Sequence, residues 1–158
     1  MKKMKSFRIG AVSETECGET LWQLLLRGEE VTIEAFDGSA WPFVRKGKDS
    51  VMLRRCDTVC VGDLVLVHDC MGKTRLMRIR DAQSVCVLMD CDGDMRPAQY
   101  YTSNEVKATV TGVIDHRGHR RKPGRAVLWR HQPDFMKRLF LLLKPHDSYR
   151  NHHECANK

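Results

Sequence analysis

The chain has 158 residues, a mass of 18.2 kDa and ordinary hydrophobic and charged fractions of 42% and 30%. A chain of this length buries roughly two-thirds of its unfolded surface and so needs neither disulfides nor metal to fold; the composition excludes wholesale disorder and collagen-like repeats. No apolar run approaches the roughly 18 residues of a membrane span, and the opening MKKMKSFRIG has the lysines of a signal peptide without an apolar segment after them. The expectation is a cytoplasmic chain without a transmembrane span.

The net charge of +7 is local. Between Val113 and Arg150 stand ten basic and three acidic residues, so this segment holds the whole net charge. Arg117, Arg120, Arg121, Lys122 and Arg125 crowd its first part. Such a segment is either a solvated loop or a contact for an anionic surface, nucleic acid through phosphates with Trp129 or His131 stacking, or a membrane. The seven cysteines are odd in number and lack metal spacing, since no CxxC occurs. They read as free thiols, most of them filling the core. Only His152, His153 and Cys155 offer a chance metal contact, and no cofactor is expected.

In chain order, Ser13-Glu14-Thr15-Glu16 reads as a capping box that opens a helix through Leu21, Trp22, Leu24, Leu25 and Leu26, closed by Gly28. Val31 to Phe36 alternates as a strand, and Asp37-Gly38-Ser39 is a turn with Pro42 beyond it. Ser50 to Leu53, Leu64 to Val67, Leu76 to Arg80 and Val85 to Met89 are further short strands. Val106 to Ile114 is the longest strand, and His116 to Gly124 is a polar, Arg-rich loop. Pro133 fits the first turn of a helix through Phe135, Met136, Leu139, Phe140 and Leu143, stopped at Lys144-Pro145; its apolar bulk packs on the domain or rests on an anionic membrane. The pattern predicts a mainly β domain, barrel-like or sandwich-like, with a short helix at each end. The organisation reads as a helical lead-in over 1–30, a β domain over 31–115, a basic loop and helix over 116–150, and a disordered tail over 151–158.

The segment VTIEAFDGSAWPFVRKGKDSVML, from Val31 to Leu53, resembles the nucleophile box of the LexA/signal-peptidase superfamily of serine peptidases, in which a strand leads into G-x-S-M-x-P-F. Ser39, Pro42 and Phe43 match at the right spacing. Later boxes follow in order: Gly62-Asp63-Leu64-Val65 at a strand start, Leu76-Met77-Arg78-Ile79 at the base-bearing strand, Leu88 to Asp94 at L-x-G-D-G-N, and Val106 to Ile114 at the closing strand. The likeness covers about Val31 to Gly118 and is nearest to short soluble bacterial members. It implies a LexA/signal-peptidase-like β domain, a peptide ligand held as an added strand, Ser39 as nucleophile, an oxyanion donor from the backbone around it, and Asp92 as the aspartate that orients a histidine base.

A serine hydroxyl needs a neighbouring base, and here the base position falls on Met77, whose thioether accepts no proton at neutral pH. His68 and Lys73 are the substitutes within the region, while Arg75 stays protonated. Gly38 precedes Ser39 directly, Ala40 replaces the usual methionine, and Trp41 is large for a cleft wall. Three readings stay open: a peptide-binding homologue impaired in catalysis, an active serine endopeptidase with a relocated base, and a basic adaptor for nucleic acid or membrane. Each residue also has a plain alternative, Ser39 as a turn hydroxyl, Met77 as core and Asp92 as a hairpin brace.

Overall fold

The computed structural model describes residues 5–7, 14–55, 57–124 and 134–143. The chain is mainly β, with two short helices. In chain order the elements are β1 (Lys5–Phe7), α1 (Glu14–Leu26), β2 (Val31–Glu34), β3 (Ser50–Arg54), β4 (Leu64–His68), β5 (Thr74–Ala82), β6 (Cys86–Asp90), β7 (Gln99–Thr102), β8 (Val106–Ile114), β9 (Arg120–Arg121) and α2 (Asp134–Leu142). One nine-stranded sheet runs β1-β2-β3-β8-β4-β5-β6-β7, with β9 added on β8. All pairs are antiparallel except β1 on β2.

The sheet is buried on both faces at its centre. Successive strand residues point to opposite sides, and in β4 both sets are apolar and buried. Leu64 and Leu66 join Val31, Ile33, Val51, Leu53, Leu76 and Val110 in one cluster. Val65 and Val67 join Met77, Ile79, Val87 and Met89 in another. Irregular register between Met52 and Leu53, between Leu66 and Val67 and between Ile79 and Asp81 marks where the sheet bends.

Helix α1 closes the first cluster. Leu21, Leu24 and Leu25 are its buried stripe, at the i, i+3, i+4 spacing of one helix face. Its end is the expected glycine stop: Gly28 has φ +73°, its N–H bonds the Leu25 carbonyl at 2.9 Å, and the Glu29 N–H bonds that of Leu24 at 3.1 Å. This left-handed cap satisfies carbonyls the helix leaves open. The expected Ser13 cap, the Pro133 and Pro145 signals and the tail lie outside the described residues.

Three differences from the sequence expectation have physical reasons. The strand after α1 ends at Glu34, because Ala35 turns into the loop and bonds its N–H to the Asp49 carbonyl at 2.9 Å. The stretch His116 to Gly124 is a hairpin that returns β9 onto β8, with Arg121 opposite Val113. The sheet therefore crosses the boundaries expected at 30/31 and 115/116, since β1 pairs with β2 and β9 with β8. Finally, Cys60, Cys70, Cys86 and Cys91 are free thiols, but only Cys91 is buried; Cys60 and Cys70 are exposed rather than core-filling. They lie in the turns at either end of β4, outside the sheet. No helix among the described residues is long and apolar enough to cross a membrane.

Candidate functional site

The loop between β2 and β3 is built as a rigid platform. Its base is closed by the Ala35 N–H on the Asp49 carbonyl and by the Gly47 N–H on the Ala35 carbonyl at 3.0 Å. Ala40 and Val44 are buried in the first cluster, so the loop is rooted in the core. The fully buried Asp49 carboxylate accepts the Arg45 backbone N–H at 2.9 Å and its guanidinium Nε and Nη2 at 3.1 and 2.7 Å. Burial works to raise this carboxyl, but the Arg45 hydrogen bonds and charge prevail and hold it below the ordinary carboxylate range.

Ser39 stands at the turn of this loop, half-buried, with three segments converging on it. Asp37 Oδ1 accepts the Ser39 backbone N–H at 3.1 Å and its hydroxyl at 2.6 Å. The hydroxyl accepts in turn the backbone N–H of Leu76 in β5 at 3.1 Å. The Ser39 carbonyl accepts the Gly93 N–H at 2.9 Å. A Cβ on Gly93 would fall 2.2 Å from the Gly38 carbonyl oxygen and 3.3 Å from the Trp41 nitrogen, so the two backbones meet there without room for a side chain.

The register explains the contact with Leu76. The β5–β6 ladder begins at Arg78 opposite Asp90, so Thr74 to Met77 have no β6 partner on that edge. Leu76 faces Leu66 of β4, yet its N–H points the other way, to Ser39. Ser39 therefore occupies the edge of β5 opposite β4. Met77 is the next residue of that strand, and its side chain is buried in the second cluster. It borders a small pocket of about 30 Å³ with Arg75, Met89, Cys91, Asp94 and Tyr101.

The sequence candidates divide on this geometry. Ser39 and the Met77 strand are brought together. His68 is not: it lies on β4, opposite Thr74, with its Nδ1 2.9 Å from the Thr74 hydroxyl and its ring 5.6 Å from that of Trp22. It lines a cavity of about 610 Å³ with Trp22, Leu25, Arg55, Val106 and Lys107. Lys73 sits exposed in the turn before β5, its N–H on Asp69 Oδ1 at 2.8 Å. Among the described residues, the hydrogen-bond partners of the Ser39 hydroxyl are Asp37 and Leu76.

Asp92 is near the site but engaged elsewhere. Its carboxylate takes Arg78 Nη2 at 2.6 Å and Nε at 3.0 Å, both side chains fully buried. Burial pushes the Asp92 carboxyl up, against the pull of Arg78 and Arg80. Arg78 also donates to the carbonyls of Gly62 at 2.9 Å and Gly124 at 2.6 Å and lies 5.2 Å from the Phe43 ring centre. One buried guanidinium thus ties β5 to the loop of Ser39, to the Asp92 turn and to the chain after β9.

Two further groups bear on the chemistry. The Cys91 thiol is pushed up to about 11 by burial and by the nearby Asp37 charge, so it is protonated at neutral pH and a poor nucleophile. The Ser39 N–H, a potential oxyanion donor, is occupied by Asp37. Asp37, Arg78 and Gly93 escaped the sequence reading as site residues. Asp-Gly-Ser signals a side-chain-to-backbone turn, but nothing local marks the other two. Among the described residues no group of three His, Cys, Asp or Glu side chains could hold a metal ion. No protein-family model and no curated protein sequence matches the chain.

Proposed function

We propose that the chain is a serine peptidase-like, peptide-binding protein of the LexA/signal-peptidase type, impaired in catalysis because the base position is Met77. The observation that carries this reading is the Ser39 hydroxyl held against the Leu76 N–H, one residue from Met77 and on the opposite edge of β5 from His68. A nucleophile in such a site needs a proton acceptor tuned near the working pH. A thioether is none, and the Asp37 carboxylate, which accepts both the hydroxyl and the backbone N–H of Ser39, braces the turn by side-chain-to-backbone bonding.

The peptide ligand follows from the same edge. Thr74 and the strand before Leu76 present backbone groups that β6 does not cover, and an extended peptide can add to such an edge as a further strand. The pocket lined by Arg75 and Met77 lies beside this edge and offers a side-chain contact. A cytoplasmic location belongs to this reading.

Panning the full chain against a displayed library of extended peptides tests the proposal. Binders that weaken at least tenfold on Thr74→Pro, which deletes the N–H on the open edge, support it. A library that yields no binders, or binders indifferent to that change in a folded variant, overturns it.

A further inference from the structure

The structure joins two basic segments that lie far apart in the sequence. Arg121 of β9 donates through Nη2 to the Phe43 carbonyl and stands 3.7 Å from Asp49 Oδ2. Asp49 in turn holds Arg45. The β8–β9 hairpin is thereby docked beside the loop 45–48. The hairpin is itself fixed, for the Asp115 carboxylate caps it by accepting the N–H groups of Arg117 and His119 at 2.8 and 2.9 Å.

Arg45, Lys46 and Lys48 thus adjoin Arg117, Arg120, Arg121 and Lys122, and Lys46, Lys48 and all four hairpin cations are exposed. Two carboxylates stand among them, the buried Asp49 and the hairpin's Asp115, and both are engaged within the two segments. Residues 45–48 and 116–122 contain no large apolar side chain to enter a bilayer, whereas a row of cations on two rigid turns suits repeated phosphates.

We infer that this two-segment surface binds the phosphodiester backbone of nucleic acid, without reading its bases. Arg45 and Arg121 set the geometry, and Lys46, Lys48, Arg117 and Lys122 contact phosphates. The inference is independent of the peptide-binding reading, since the hydrogen-bond partners of Ser39 among the described residues are Asp37, Leu76 and Gly93 and none of these cations.

The test is fluorescence anisotropy of a labelled 20-base-pair DNA duplex with the full chain over a salt series. The logarithm of the association constant falls against that of salt by about 0.9 per phosphate contact. Lys46→Gln/Lys48→Gln and Arg117→Gln/Lys122→Gln should each flatten the slope by about 1.8, while Arg27→Gln/Arg54→Gln, exposed elsewhere, leaves it unchanged. No binding at low salt, an equal effect of the control pair, or an effect of the hairpin pair alone overturns the inference. So does binding to phosphatidylserine vesicles, sensitive to the same variants, with no binding to DNA.

Discussion

The Ser39 hydroxyl accepts the Leu76 N–H at 3.1 Å, at the point where β5 has lost its β6 partner. The side chain does the work of a missing ladder bond. Ser39→Ala should leave that N–H and the Asp37 carboxylate without this partner and lower stability by about 1–3 kcal/mol. Urea unfolding monitored by tryptophan fluorescence measures this; a loss below about 0.5 kcal/mol would mean that water replaces the hydroxyl at no cost.

Gly93 and Gly112 make a paired test of close approach. At Gly93 the added methyl would meet the Gly38 backbone, which cannot move without displacing Ser39. At Gly112 it would meet Met52 Sδ at 3.0 Å and Arg120 Nε at 3.1 Å, side-chain atoms that can swing aside. Gly93→Ala should cost about 3 kcal/mol or more and Gly112→Ala about 1 kcal/mol. Thermal melts of the two variants would reverse this order if the contact of residues 38–41 with Gly93 were loose.

The buried pair of Arg78 and Asp92 should be costly to break and inexpensive to replace. Asp92→Ala or Arg78→Ala strands a charge where no water reaches, a loss of about 3–5 kcal/mol. Replacing both together, as Arg78→Met/Asp92→Leu, should recover much of that loss. Denaturation midpoints of the singles and the double decide it; a double as damaged as the sum of the singles would show that the Gly62 and Gly124 contacts of Arg78 dominate.

Asp49 sets an acid limb. Its folded-state pKa is depressed, so it contributes stability above the unfolded carboxylate pKa of about 3.9, and that contribution is lost as pH falls through the lower folded value. Asp49→Asn should therefore be destabilising at pH 7 and show a shallower decline between roughly pH 4 and pH 2. Urea titrations at a series of pH values would contradict this if the wild-type and variant curves ran parallel.

How much of this was legible depended on whether a residue's partner was local. The strand Val106 to Ile114 and the stop at Gly28 could be read to the residue, because alternation and a left-handed glycine are written in adjacent positions. Strands β1, β7 and β9 could not: β7 is Gln-Tyr-Tyr-Thr with only Tyr101 partly covered, and β9 is two arginines. The Asp37-Gly38-Ser39 turn was visible, but its docking onto Leu76 and Gly93 is made by backbone groups that any residue carries. Arg78 reads as one more charged residue in a strand, because a guanidinium gives no sequence sign of whether it is solvated or fully buried. Resemblance supplied Asp92 as an orienting residue, whereas in the fold its carboxylate is engaged by Arg78.

The central claim is the proposed reading of Ser39 as the nucleophile position of a peptidase-like site in which Met77 stands where a proton acceptor is needed. The most direct measurement is the rate at which a serine-directed fluorophosphonate labels the full chain, located by mass spectrometry, in wild type, Ser39→Ala, Met77→His and Met77→Lys. The account predicts wild-type labelling no faster than that of Ser39→Ala, and a rise at Ser39 of at least tenfold in a folded Met77→His or Met77→Lys. Ready labelling of wild-type Ser39, or a Ser39 that stays inert in both folded Met77 variants, would contradict it.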